Sequence, residues 1–322
     1  MHFKSLTEFA KFIALSLEDL ATLGGDAESD FALKVPKHFA EKIQKNNPHD
    51  PLLLQVLPRK IEKQITVGFT QDPVGDLQAN PTPALLHKYH GRALLMTSPR
   101  CDIHCRFCFR RHFPYEHQIK QAHWQTALQQ VAQDPSLKEL ILSGGDPMTL
   151  SEPQLVHLCQ QIEQIETLQT LRIHSRTPIV APDKAPSHHW LTFCENTRLK
   201  VVLVVHCNHP QELSAQTAAL FRRYRQAGIT LLNQSVLLKN VNDNASTLEQ
   251  LSHALFQQDI LPYYLHQLDK VQGAAHFEVS DEQALSLMQE LRQRLPGYLV
   301  PKLVREIAGT AYKVPVDSHL TC

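Results

Sequence analysis

The sequence lacks net charge, and it lacks any apolar run long enough to cross a membrane. Its 322 residues carry 32 lysines and arginines against 32 aspartates and glutamates. A balanced chain has no overall field to gather nucleic acid or anionic lipid, so neither is expected as a partner. The first residues also lack the apolar core of a signal peptide, because charged residues interrupt every apolar stretch there. We therefore expect a cytoplasmic protein with no membrane partner.

The cysteines lack the pattern of a disulfide framework. The sequence has seven of them, an odd number, and four stand alone at positions 159, 194, 207 and 322. The other three, Cys101, Cys105 and Cys108, follow the spacing C-x₃-C-x₂-C. Structural zinc sites usually bring two ligand pairs, and the sequence has no second C-x₂-C or C-x₂-H pair.

Three thiolates on one short loop match the ligands of a four-iron cluster that has only three protein sulfurs and leaves one iron open. Spacing alone leaves two other readings open: a chance pattern, and zinc with His104 or His112 as a fourth ligand. Arg110 lies two residues beyond the third cysteine. A guanidinium near the cluster suits a carboxylate ligand, and a surface arginine is the alternative.

From residue 93 onward, short apolar runs alternate with helical patterns. The runs cover residues 93–96, 140–142, 171–173, 201–205, 229–232 and 261–265. Helical patterns between and after them cover residues 118–133, 152–165, 210–227, 245–258 and 281–294. This alternation predicts an α/β fold of parallel βαβ units, with both faces of the strands covered. Six units are too few for a full eight-stranded barrel, so we expect a partial (β/α)6 barrel.

The chain before this region has a different character. Helical spacing covers residues 3–20 and 26–45, and a proline-rich connector with little regular structure follows over 48–83. We therefore expect three parts: an N-terminal helical extension and connector over 1–80, the barrel over 81–300, and a C-terminal segment over 301–322. The extension carries no chemical motif, so we expect it only to cover the rest of the protein or to take part in assembly.

Polar residues follow each predicted strand, where parallel strands gather their chemistry. These segments are the cysteine loop and residues 143–147, 174–178, 206–209, 233–234 and 267–269. Gly144 and Gly145 allow a backbone to approach a ligand closely, although an ordinary strand-to-helix turn explains them equally well. Asp146 is expected either to accept a hydrogen bond from an ammonium or to cap the next helix.

Three further residues carry no signal of their own. Lys313 lies between Gly309 and Pro315, and a solvated surface lysine is the ordinary reading of such a position. A lysine that forms a Schiff base needs a partly desolvated amine, which this loop can provide. Asp269 and Glu306 are single carboxylates, which helix caps or surface charges explain equally well.

Taken in order, these motifs resemble those of the radical S-adenosylmethionine lysine 2,3-aminomutase family over residues 85–316. The matching segments are the cysteine motif with Phe107 and residues 88–92, 108–111, 142–146, 175–178, 206–210, 233–238 and 262–264. The short C-terminus and residues 305–307 resemble most the bacterial branch that makes (R)-β-lysine for the modification of translation elongation factor P.

The resemblance implies three cofactors. A [4Fe-4S] cluster would bind Cys101, Cys105 and Cys108. S-adenosylmethionine would bind the open iron, with its methionyl end near Gly144, Gly145 and Asp146. Pyridoxal 5′-phosphate would bind Lys313, near Tyr89, Arg92 and Gln234.

The resemblance also implies a substrate and the residues that bind it. Arg110 would hold the α-carboxylate of L-lysine, and Asp269 with Glu306 would hold its ε-ammonium. The expected reaction is a radical 1,2-amino shift that turns (S)-α-lysine into (R)-β-lysine. Glu306 departs from the family, since an aspartate is usual there, and Lys88 replaces an arginine.

Several alternatives stay open at this point. The mutase could serve free lysine metabolism or act on another amino acid such as glutamate. A protein of another class, a non-catalytic iron–sulfur or zinc protein, is the second alternative. The resemblance further implies an electron donor such as flavodoxin or ferredoxin. A homo-oligomer stays open, because the C-terminal extension of free-lysine enzymes is missing.

Overall fold

The computed structural model describes residues 1–317, so Cys322 lies outside the described part of the chain. The N-terminal part is built from short elements. They are β1 (His2–Phe3), α1 (Leu6–Phe12), α2 (Leu17–Thr22), β2 (Val35–Pro36), α3 (Lys37–Ala40), α4 (Pro51–Leu54) and a 3₁₀ turn (Lys60–Lys63).

The prediction of two long helices in this part is wrong. The first breaks because Ala14 adopts a left-handed backbone with φ of 59° and Ser16 then caps a new helix. Over 26–45 only α3 is helical, and β2 pairs antiparallel with β1 instead. The proline-rich stretch has only α4 and the 3₁₀ turn, so the expectation of little regular structure there is confirmed.

A nine-stranded sheet forms the centre of the molecule, with its strands in chain order. They are β3 (Leu85–Tyr89), β4 (Arg92–Ser98), β5 (Glu139–Gly144), β6 (Thr170–Ser175), β7 (Lys200–Val205), β8 (Thr230–Val236), β9 (Leu261–His266), β10 (Lys302–Arg305) and β11 (Val314–Pro315). The six predicted strands are β4 to β9, all parallel, and are confirmed.

Sequence reasoning missed three strands of this sheet. β10 adds a seventh parallel strand, and β3 and β11 pair antiparallel at the two edges. β10 has four residues and β11 only two, so neither gives a periodic signal. β10 and β11 come from the segment predicted as a separate C-terminal part, and the three-part division stays a prediction.

Helices follow the strands as expected. They are α5 (Tyr115–Gln118), α6 (Gln121–Gln133), α7 (Glu152–Glu163), α8 (Thr177–Val180), α9 (His189–Asn196), α10 (Ala215–Gln226), α11 (Ala245–Phe256) and α12 (Asp281–Arg294). The helix expected over 210–227 begins later, because Ser214 caps α10 by accepting a hydrogen bond from the Thr217 amide at 3.2 Å. Among the described residues, no helix is both long and apolar enough to cross a membrane.

The two faces of the sheet differ in what they contact. In β5, Leu140 and Leu142 are fully buried in the main hydrophobic core, whereas Ile141 and Ser143 line a cavity on the other face. Strands β3 to β6, β8 and β9 give residues to this cavity, and His206, directly after β7, borders it too. One face of many strands can surround a single cavity only if the sheet curls. With β3 and β11 as open edges, the α/β partial barrel is confirmed, with seven parallel strands in place of six.

Candidate active site

One cavity of about 370 Å³ gathers every site residue that the sequence singled out. Those residues are Cys101, Cys105, Cys108, Arg110, Gly144, Gly145, Asp146, Tyr89, Arg92, Gln234, Asp269, Glu306 and Lys313. They come from seven strand ends or loops spread over more than 220 residues of chain. The convergence expected at the carboxyl ends of the strands is therefore present.

The cysteine loop follows β4 and ends in a tight turn, in which the Cys108 amide donates to the Cys105 carbonyl at 3.1 Å. Burial, reinforced by the neighbouring cysteines, raises the pKa of Cys101 and raises that of Cys108 to about 11. A metal centre that binds these sulfurs must therefore displace their protons.

Zinc with a histidine as fourth ligand receives no support from the geometry. His104 Nδ1 lies 2.8 Å from the Ala32 carbonyl, and His112 Nε2 lies 3.1 Å from the Gln272 carbonyl. Within residues 1–317, no three histidine, cysteine, aspartate or glutamate side chains converge as ligands of a single ion. The three cysteines instead border one cavity, as a cluster needs, in which each sulfur binds a different iron.

The N-terminal part forms hydrogen bonds with the cysteine loop. The sequence did not predict this role. The His104 amide donates to the Lys34 carbonyl at 3.0 Å, and the Arg106 amide donates to the Gln55 carbonyl at 2.9 Å. The Arg106 side chain is fully buried and donates to both oxygens of Glu62, at 2.9 and 2.5 Å. An arginine between two cysteines does suggest a buried acidic partner, but only the fold identifies Glu62.

The turn after β5 packs against the start of the cysteine loop. A Cβ on Gly145 would lie 2.5 Å from the Arg100 carbonyl oxygen, so only glycine fits there. Asp146 caps the turn that follows, accepting from the Met148 amide at 2.9 Å. It also accepts from the Arg176 and Thr177 amides at 2.8 and 2.9 Å. Of the two expectations for Asp146, the structure supports the cap.

A chain of alternating charges runs along one wall of the cavity. Arg110 Nε donates to Asp76 Oδ2 at 2.6 Å, and Asp76 Oδ1 lies 2.5 Å from Lys88 Nζ. Lys88 Nζ donates to Glu306 Oε1 at 2.9 Å. The other Glu306 oxygen accepts from Lys313 Nζ. Burial alone would raise the pKa of Glu306, but the two lysines outweigh it and lower that pKa to about 2.

Asp76 is the functional residue that the sequence analysis missed in this chain of charges. It is only 2% exposed and joins Arg110 to Lys88. It lies in the proline-rich connector, where one acid among turn residues gives no signal of its own. Its partners are 34 and 12 residues away in sequence, and only the folded connector brings the three together.

Aromatic side chains also line the cavity. The Arg92 guanidinium lies 4.6 Å from the centre of the Tyr89 ring, and the Tyr263 and Tyr264 rings lie 3.8 Å apart. Flat apolar walls with a few polar groups are typical of sites for ring-shaped ligands. This part of the cavity therefore suits an aromatic cofactor.

Comparison with known proteins agrees with this geometry. The profile of a 4Fe-4S single cluster domain matches residues 90–177, which include all three cysteines. A protein named L-lysine 2,3-aminomutase from Escherichia coli (strain K12) is 48% identical over 314 residues, 97% of this chain and 91% of that protein. The chain belongs to the lysine 2,3-aminomutase family. A second protein of that name, from Haemophilus influenzae, is 47% identical over 88% of this chain and 84% of its own.

Among solved structures, a radical SAM methyltransferase from Sphaerobacter thermophilus is 16% identical and aligns with a TM-score of 0.47. The alignment covers 69% of this chain and 68% of that one, and the likeness is too distant to bear on function. The family resemblance seen in the sequence is confirmed by the aminomutase relatives, which makes the chain an isomerase of the radical S-adenosylmethionine class.

The residues present fit the cofactors of this family, which are a [4Fe-4S] cluster, S-adenosylmethionine and pyridoxal 5′-phosphate. The three thiols border the same cavity as the Lys313 amine, whose side chain is 21% exposed. The Nε2 atoms of His174 and His206 are buried at this cavity without a hydrogen-bond partner in residues 1–317. Buried polar atoms of this kind are satisfied when a polar ligand binds.

Proposed function

We propose that this protein is an L-lysine 2,3-aminomutase that converts (S)-α-lysine into (R)-β-lysine. The observation that carries the proposal is a single cavity bordered by groups that suit two cofactors and a diamino acid. The three cysteines, the Lys313 amine and the chain of charges from Arg110 to Glu306 all border it. Relatives at 42–48% identity carry the same activity in their names.

The cofactor roles are those that the family resemblance implies, and all the residues concerned border the cavity. Cys101, Cys105 and Cys108 would hold the cluster, and Gly144, Gly145 and Asp146, which border the same cavity, would help to hold S-adenosylmethionine. Lys313 holds pyridoxal phosphate, with Tyr89, Arg92 and Gln234 around it. When bound, these cofactors supply an adenosyl radical and an electron-accepting ring, which together allow an amino group to move between neighbouring carbons.

Arg110 binds and orients the substrate carboxylate. Its Nε is held by Asp76 and its Nη1 donates to Ser143 Oγ at 3.2 Å, so the guanidinium is rigid where it borders the cavity. A fixed guanidinium fork suits bidentate capture of a carboxylate. Holding the carboxylate in one place would fix the position of the substrate β-carbon in the cavity.

Asp269 and Glu306 receive the ε-ammonium of the substrate. Two carboxylates at one end of a cavity favour a side chain that ends in a cation. They disfavour an acidic side chain, because a third carboxylate would be repelled there. Lysine is therefore preferred over glutamate as the substrate of this site.

The product serves the modification of elongation factor P, and the electron comes from a flavodoxin or ferredoxin. The support for this role is the resemblance at residues 305–307. Mass spectrometry of intact elongation factor P tests the role. Cells that lack this protein should carry the factor without its β-lysyl group, and supplied (R)-β-lysine should restore it. An unchanged factor in those cells would point to free lysine metabolism.

Anaerobic reconstitution tests the reaction itself. The protein is loaded with iron, sulfide, pyridoxal phosphate and S-adenosylmethionine, and then given a reductant and L-lysine. We expect (R)-β-lysine by chiral mass spectrometry. Replacing both acids, as Asp269→Asn with Glu306→Gln, should abolish lysine turnover. A fully loaded protein that forms no β-amino acid and no 5′-deoxyadenosine would favour a non-catalytic iron–sulfur protein instead.

A further inference from the structure

The Arg176 side chain reaches from the end of β6 to the sulfur of Cys105. Its Nη1 lies 2.7 Å from Cys105 Sγ, and the residue is only 7% exposed. Within residues 1–317, Cys105 is the one cysteine of the three whose sulfur accepts from a side-chain nitrogen. Nothing in the reaction described above uses this contact.

The guanidinium is held in place by two buried partners. Nη2 donates to Glu212 Oε2 at 2.9 Å and to Gln55 Oε1 at 2.8 Å. Glu212 and Gln55 are both fully buried, and Gln55 belongs to the N-terminal part of the chain. The Phe107 ring lies under the guanidinium, 5.5 Å away. Three separate segments therefore fix one arginine against one sulfur.

Stability alone is a weak reason for such an arrangement. Burying an arginine–glutamate pair costs desolvation that its attraction often fails to recover. Arg176 Nε also has no hydrogen-bond partner in the described part of the chain, which adds to the cost. A donor aimed at a ligand sulfur has a functional effect, because hydrogen bonds and charge near the sulfurs shift the reduction potential of a cluster.

We propose that Arg176 is a positioning residue that sets the reduction potential of the cluster through the sulfur of Cys105, with Glu212 and Gln55 holding its guanidinium in register. The inference rests on the proposed cluster at the three cysteines. Reduction adds one electron and one negative charge to the cluster and breaks no bond. A fixed positive donor stabilises the reduced form more than the oxidised form, so Arg176 raises the potential. Glu212 moderates this effect with its opposite charge.

Redox titration of the reconstituted protein tests the proposal without any turnover. A titanium(III) reductant supplies the single electron, S-adenosylmethionine is left out, and electron paramagnetic resonance follows the reduced cluster. Arg176→Gln should shift the midpoint potential to a more negative value. Arg176→Lys, which keeps the charge but loses the fork, should shift it less. Glu212→Gln should shift it to a more positive value.

A matched control is Arg172→Gln, on the strand that Arg176 directly follows. Arg172 borders the same cavity, but its guanidinium pairs with Glu139 and not with a cysteine, so its variant should keep the wild-type potential. If Arg176→Gln binds no iron, the opposite shifts of Arg176→Lys and Glu212→Gln decide the question. Loaded variants of Arg176 and Glu212 that all keep the wild-type potential would overturn the proposal. A wild-type protein that binds no cluster would refute the proposed function instead.

Discussion

Asp269 and Glu306 border the same cavity, yet their carboxyl groups tend toward opposite protonation states. The pKa of Glu306 is about 2, because two lysines flank it. Burial, followed by repulsion from Glu306, raises the pKa of Asp269 to about 7. Within the described part of the chain, no cation forms an ion pair with Asp269. An incoming ammonium therefore supplies the charge that Asp269 lacks.

Asp269→Asn should stabilise the cofactor-free chain at pH 8. The pKa of this carboxyl is about 7 in the fold against 3.8 as its ordinary value, so the folded chain binds more protons than the unfolded chain between those values. Its contribution therefore lowers stability as pH rises from about 4 to about 7, and the full cost persists above pH 7. The asparagine variant avoids this cost, and the difference should shrink toward pH 4.

Urea unfolding at several pH values between 4 and 8 measures this difference. Asp30→Asn is the control, because Asp30 is exposed, and it should change stability equally little at every pH. An Asp269→Asn variant that is less stable than the wild type at pH 8, or whose gain does not depend on pH, would contradict the assignment of a raised pKa.

Asp76→Asn should lower both the stability of the fold and the affinity for substrate. The change leaves Arg110 and Lys88 beside each other with no anion between them. Removing one partner of a buried ion pair costs about 3 kcal/mol or more. Arg110 also loses the group that orients it, so the Michaelis constant for lysine should rise more than the turnover number falls.

The comparison for this prediction is Glu249→Gln, which removes the partner of Arg294 in a surface ion pair. Such pairs contribute within about 1 kcal/mol, so that variant should stay close to wild type in both stability and kinetics. Equal effects of the two substitutions would contradict the proposal that Asp76 stabilises the fold and orients Arg110.

Lys313→Ala should abolish covalent attachment of pyridoxal phosphate. The amine is the group that would bind the cofactor aldehyde, and the variant has none at this position. Absorbance of the dialysed protein measures the attachment, and borohydride reduction followed by peptide mass spectrometry locates it. Lys302→Ala, at an exposed position of β10, should keep full attachment. Cofactor on another lysine of the wild-type protein would refute the role.

Cys101→Ser, Cys105→Ser and Cys108→Ser should each lower the iron bound after reconstitution, because each removes one of the three thiolates that hold the cluster. Iron analysis and visible absorbance measure the loss. Cys159→Ala is the control, since Cys159 is fully buried in the hydrophobic core away from the cavity. Iron loss in the control variant of the same size as in the other three would argue against the assignment.

Much of the fold could be predicted from the sequence, because strand signals are local. The run 201–205 is apolar at every position, as expected for a strand covered on both faces, and it forms most of β7. The N-terminal helices could not be predicted reliably. Helical spacing continues past Ala14, but the backbone turns left-handed there, and the first residues pair with Val35 and Pro36 in a short two-stranded sheet. Tertiary contacts overrode local propensity at that point.

The same distinction between local and tertiary information holds for the candidate site. The sequence by itself determined the cysteine spacing, the positions of the parallel strands along the chain and the placement of polar residues after them, since each depends on neighbours along the chain. Only the tertiary structure decided which side chains meet. Lys88 and Glu306 are 218 residues apart, and Arg176 and Cys105 are 71 apart. Such contacts depend on strand register and sheet curvature, which are properties of the whole fold and leave no mark in a local pattern.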